Sequence, residues 1–189
     1  MVRCWRWPNW PMLGHMIQRL RRLFGRRPSH HGLDPTQAME RYERGIGLFD
    51  AGKWSDAERE FTSAIMLSIP IAGMYHYRGS AFAEQGKQLE AIADYDAAVR
   101  LLPDYPDTYV DRGNSYHALG RNENALKDYS EAIRLRPNYA EPYANRAAVY
   151  AALGDDEASR RDAYEATGRG IDPVALEALL EEIVKVRRK

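Results

Sequence analysis

Along most of the chain, apolar positions fall at three- and four-residue spacings in stretches of about 14 residues, the period of helices buried on one face. The stretches come in pairs, each split by a glycine: Gly52, Gly86, Gly120 and Gly154. Glycine accepts the left-handed conformation that ends a helix, so each pair predicts a helix hairpin. Pro103 and Pro137 stand where the second helix of a pair should stop, because proline lacks an amide proton and bars helical geometry from the residue before it.

The pairs recur every 34 residues. Windows opening at Ala38, Ala72, Pro106 and Ala140 align Gly45, Gly79, Gly113 and Ala147, then Leu48, Phe82, Tyr116 and Tyr150 three residues on. The second stretches align Ala57, Ala91 and Ala125, then Phe61, Tyr95 and Tyr129, then Ala64, Ala98, Ala132 and Ala166. Small residues let two backbones approach, and the aromatic on the facing helix fills the space beside them. Since one hairpin cannot bury both its faces, the copies must stack.

The outer windows diverge, as terminal repeats do when one face meets solvent. Arg41 stands where the others carry Tyr75, Tyr109 and Tyr143, and the last window has Ser159 and Ala163 in place of alanine and an aromatic. After it, Asp172 and Pro173 predict a helix start, and Leu176, Leu179, Leu180 and Ile183 form one apolar stripe suited to covering the fourth window. The basic ending from Lys185 to Lys189 complements the negative end of that helix. A polar recurrence pairs Arg44, Arg78, Arg112 and Arg146 on the first helices with Glu60, Asp94, Asp128 and Asp162 on the second. Each pair is expected to bridge its own hairpin, contributing ~1 kcal/mol or less if exposed.

This small-large-small register resembles the tetratricopeptide repeat family from Ala38 to about Pro173. The resemblance implies an all-α right-handed superhelical solenoid of four hairpins, approximately 38–71, 72–105, 106–139 and 140–173 within residues 34–171, with a capping helix at 172–189 and a separate arm at 1–33. It also implies an adaptor or scaffold that binds a partner protein or peptide in a groove lined by the first helices. Side chains there that the core does not need are Tyr42, His76, Tyr77, Asp111, Asn114 and Asn145, the candidate ligand contacts. Tyrosine offers a rigid ring with a polar tip, and Asn or Asp holds an extended backbone. With Asp107 and Glu141 nearby in the pattern, the groove is mildly acidic and favours a basic or neutral peptide. One subclass of the family binds acidic chaperone tails through a clamp of cations; here those places read Tyr42, Asp107 and Asp111, or His76, Glu141 and Asn145. Chaperone tails are therefore not expected as ligands.

Charge separates the ends of the chain. The formal net charge is zero, yet no acidic residue precedes Asp34, while Arg3, Arg6, Arg19, Arg21, Arg22, Arg26 and Arg27 are basic. Leu13, Met16, Ile17, Leu20, Leu23 and Phe24 fall at helical spacing with arginines opposite, so residues 12–27 read as an amphipathic helix able to lie on an anionic membrane surface. The alternative reading of the whole is thus a peripheral membrane assembly factor, cytoplasmic and membrane-associated. Folding back on the first hairpin, a targeting role and a later start at Met12, Met16 or Met39 are the competing readings of the arm. No nucleic acid is expected, since the acidic body offers no second basic surface.

No stretch reaches the ~18–20 apolar residues of a membrane-spanning helix. Cys4 is the sole cysteine, which rules out an intramolecular disulfide. Nothing in the pattern suggests an enzyme, a cofactor or a metal: there is no phosphate-cradling glycine loop, and His76 and His117, like His30 and His31, lack the setting of a zinc site.

Overall fold

The computed structural model describes residues 34–188, so the arm reading falls outside the described residues. Those residues form α1 (Pro35–Asp50), α2 (Trp54–Leu67), α3 (Ala72–Glu84), α4 (Gln88–Leu101), α5 (Pro106–Ala118), α6 (Asn122–Leu135), α7 (Ala140–Leu153), α8 (Asp156–Gly168) and α9 (Pro173–Arg187), with no strand among them. Residues 34–70 make one compact unit, the hairpin α1–α2; residues 71–188 make another, holding α3 to α9. No helix among the described residues is long and apolar enough to cross a membrane.

Local chemistry sets the helix ends. Gly52, Gly86, Gly120 and Gly154, between the helices of the four hairpins, have φ of 71°, 76°, 70° and 91°, a region costly for any residue with a Cβ. α4 and α6 stop two residues ahead of Pro103 and Pro137. Asp34, Asp155 and Asp172 cap α1, α8 and α9 by accepting from the amides of Gln37, Ala158 and Val174.

Within each hairpin the glycine of the first helix lies against the aromatic of the second. A methyl group placed on Gly45, Gly79 or Gly113 would come within 2.5, 3.0 or 2.7 Å of the ring of Phe61, Tyr95 or Tyr129. The fourth hairpin replaces both partners, with Ala147 fully buried and Ala163 half-buried. In the second unit the hairpins stack in series: α5 rests chiefly on α4, and α7 chiefly on α6. Tyr109, Val110, Ala125, Tyr129, Ala132 and Val149 form one core cluster across α5, α6 and α7. Tyr143, Ala166 and Leu176 form the next, where α9 covers the fourth hairpin.

The arginine pairs bridge their hairpins, and in the second unit they are more buried than the sequence suggested. Arg78 meets Asp94 at 2.7 Å, Arg112 meets Asp128 at 2.7 Å and Arg146 meets Asp162 at 2.6 Å, with the acids no more than 9% exposed. The estimate for exposed pairs therefore does not apply, since a buried charge stripped of its partner costs several kcal/mol. Arg112 also reaches Asp96 on α4 at 2.6 Å, and Arg146 the Ser130 hydroxyl on α6 at 2.8 Å, tying each hairpin to the one before. In the first unit Glu60 is shared by Arg41 at 3.2 Å and Arg44 at 3.6 Å, so Arg41 takes a charge role where the other windows use tyrosine. Arg187 corrects another expectation. It is not left to the helix dipole alone, because it donates to the Ala151 carbonyl at 2.6 Å and to Asp156 at 2.9 Å.

Candidate binding surface on the first helices

The first helices α3, α5 and α7 neighbour one another within the second unit. Their small core residues point toward α4, α6 and α8, which leaves the opposite face to polar and aromatic side chains. Of the six candidates, Tyr42 lies in the other unit, where its buried ring sits 5.9 Å from that of Phe61. It is a packing residue of the first hairpin. His76 is 5% exposed. Its ring contacts those of Tyr77, Tyr95 and Tyr105, while Nδ1 lies 3.0 Å from the Thr108 hydroxyl and Nε2 3.4 Å from Asp111.

Burial pushes the His76 imidazole down to about 4, against an opposing pull from Asp107. At neutral pH the ring is uncharged, so its 3.4 Å approach to Asp111 is not an ion pair. The hydrogen bond between Nδ1 and the Thr108 hydroxyl ties α3 to α5.

The other candidates lie at the surface layer. Asn114 and Asn145 belong to one network: the Asn114 amide oxygen accepts from the Tyr129 hydroxyl at 2.8 Å and from the Asn145 amide at 3.0 Å, joining α5, α6 and α7. Tyr77 is half-buried beside the His76 ring. Asp111 is strongly perturbed. Its pKa is raised well above the usual carboxylate range by burial, then by Glu141, Asp107 and Glu84. Glu141 is also raised, chiefly by burial, although it accepts from the Tyr139 hydroxyl at 3.1 Å. Asp107 is held by Arg136 at 3.1 Å and accepts from Tyr105. The surface therefore gathers Glu84, Asp107, Asp111 and Glu141, and Arg136, whose guanidinium lies 4.8 Å from the Tyr139 ring, partly balances it.

Thr108, Tyr105 and Tyr139 were not anticipated from the sequence. The last two occupy the residue just before α5 and α7, and their recurrence 34 residues apart, each two residues after a proline, is a signal the pattern did hold. His117 is exposed and bonds Asn122 at 2.9 Å, apart from His76. Among the described residues no group of His, Cys, Asp and Glu is disposed to hold a metal ion.

A family model described as TPR repeat matches residues 79–120 and 113–154. No curated protein matches. Among solved structures, the first TPR domain of human RPAP3 is 29% identical, covering 67% of this chain and 99% of that one with a TM-score of 0.61. The first TPR of Spaghetti (RPAP3) bound to the HSP90 peptide SRMEEVD is 28% identical over 66% of this chain and 98% of that one, with a TM-score of 0.63. MamA, at 20% identity, covers 82% of this chain and 85% of that one with a TM-score of 0.69, a likeness of fold. The 34-residue register, the glycine–aromatic packing and the matched repeats together show that this chain carries tetratricopeptide repeats.

Proposed function

We propose that the chain is an adaptor that holds an extended segment of a partner protein against the first-helix face of α3, α5 and α7, with a preference for basic or neutral segments. Tetratricopeptide repeats generally serve as protein-interaction scaffolds, and fold alone does not choose the ligand. The observation that carries the preference is the set of carboxylates around Asp111, whose pKa is raised by burial and then further by repulsion from Glu141, Asp107 and Glu84. A cation on the partner relieves that repulsion, and an acidic tail increases it. Tyr77, Asn114 and Asn145 supply an aromatic face and amide groups for the partner backbone. The Spaghetti domain was solved with an acidic HSP90 peptide; the acids at 107, 111 and 141 argue against such a ligand here.

The test is fluorescence anisotropy with labelled SRMEEVD and its charge-reversed counterpart SRMKKVK. The reversed peptide should bind more tightly, and Asp111→Asn or Glu141→Gln should each weaken it several-fold, as a loss of ~1 kcal/mol per partly exposed charge pair implies. Tyr77→Ala with Asn114→Ala should weaken both peptides. Micromolar binding of SRMEEVD, or indifference of the reversed peptide to these changes, sinks the proposal.

A second reading places the adaptor at a membrane surface. It is favoured by the acid-free, arginine-rich sequence of residues 12–27 with its apolar residues at helical spacing. Cosedimentation with phosphatidylserine vesicles should pellet the full chain at low salt, and not a chain beginning at Leu33. Equal behaviour of the two refutes it.

A further inference from the structure

The end of the second unit departs from its own repeat. Of the hairpin before them, α5 and α7 meet mainly the second helix, whereas α9 meets mainly the first, α7, and less of α8. This leaves a groove of about 710 Å³ along α8 and α9. The positions on α4 and α6 that receive the next hairpin are apolar, Ile92 and Val99 and then Leu126 and Ile133; on α8 the same positions are Arg160 and Thr167. The register position held by Asp96 and Ser130 is Tyr164, 77% exposed on the groove wall. The fold does not require an aromatic there.

The groove is polar in an ordered way. Ala163, Leu180 and Val184 contribute apolar lining. The ion pair of Asp156 with Arg187 fixes α8 and α9 as antiparallel. Glu177 and Glu181 therefore lie toward one end of the groove, and Arg160, Lys185 and Arg188 toward the other. An occupant that matches this gradient is itself a helix with acids in its first half and bases in its second, laid antiparallel to α9. α9 has that sequence.

We infer that the α8–α9 groove seats a second copy of this chain, paired about a twofold axis with the two α9 helices antiparallel and Tyr164 of each copy entering the groove of the other. A twofold contact must be self-complementary. Antiparallel pairing meets that condition, setting Glu177 and Glu181 of one copy against Lys185 and Arg188 of its partner. Tyrosine is among the side chains enriched at the buried anchors of such contacts. This inference is independent of the peptide surface on α3, α5 and α7, which uses none of these residues.

The experiment is sedimentation equilibrium of the full chain across a concentration series up to several hundred micromolar, with circular dichroism to verify folding of each variant. Reversible dimerisation is expected. Tyr164→Ala should weaken it at least ~10-fold, the size of an anchor residue's contribution. Glu181→Lys and Lys185→Glu should each weaken it, and the two together should restore it, because the swapped charges again face each other. A monomer throughout the series overturns the inference. So does a dimer indifferent to Tyr164→Ala and to the single charge reversals, or a double reversal no better than either single change.

Discussion

Gly113→Ala isolates the glycine–aromatic contact shared by the first three hairpins. In mid-helix alanine is favoured over glycine by ~0.5–1 kcal/mol, so helix propensity alone predicts a gain. The structure predicts the opposite sign. The new methyl carbon would lie 2.7 Å from Cε1, 3.0 Å from Cδ1 and 3.2 Å from Cζ of Tyr129. That ring is 1% exposed and its hydroxyl is tied to Asn114 at 2.8 Å, so it has nowhere to swing. Overpacking of this kind costs ~1–3 kcal/mol, and a net loss of ~1–2 kcal/mol remains after the propensity gain. Gly47→Ala on α1 supplies the contrast: nothing lies within 4 Å of its new methyl group, so only the gain survives. Urea unfolding followed by circular dichroism measures both, each unit being read on its own step where the curve resolves into two. The decisive comparison is Gly113→Ala with Tyr129 already replaced by alanine, the pairing that Ala147 and Ala163 provide naturally in the fourth hairpin. There the penalty should vanish. A Gly113→Ala protein as stable as the parent, or a penalty that persists without the ring, refutes the reasoning.

Two further predictions concern buried polar groups. His76 has a folded pKa of about 4 against an ordinary 6.5, so the folded state resists protonation. The stability this gives is present above pH 6.5 and lost as pH falls toward 4, a total of ~3 kcal/mol. Asp111 runs the other way: its raised pKa gives a contribution present at low pH that disappears as pH rises through the raised value. The pH dependence of His76→Gln subtracted from that of the parent therefore isolates the imidazole, and parallel curves between pH 4 and 6.5 contradict its assignment as a neutral buried ring. Ser115 is 2% exposed and its hydroxyl has no hydrogen-bond partner. Ser115→Ala removes a desolvated hydroxyl and should raise the urea midpoint, by up to ~1 kcal/mol in stability; a loss of more than that would reveal a bond the hydroxyl makes in solution.

Much of the architecture was legible because it is repeated. A glycine at 45, 79 and 113 facing an aromatic sixteen residues on, and an alanine facing an alanine in the fourth copy, state the packing directly. The left-handed glycines and the prolines act within one or two residues, where sequence and geometry are the same thing. The polar surface was harder to read. Asn114, Asn145 and Asp111 fall on the first-helix face and stay part-exposed, yet Tyr42 and His76 satisfy the same spacing and are buried. Spacing assigns a side chain to an angle around its own helix. It does not say whether a neighbouring helix occupies that angle.

The repeat, its period, the hairpin turns and the pairing of arginines with acids are thus written in the amino-acid order alone, since each is encoded by residues that recur in register or act locally. Assembly of the helices settles how deeply those ion pairs are buried, that His76 is an uncharged ring beside Thr108 and Asp111, and that α9 leaves a groove along α8. These depend on distances between residues far apart in the chain and on the water excluded between them. Burial sets both the cost of a charge and the shift of its pKa, and burial belongs to the assembled helices and to no single segment.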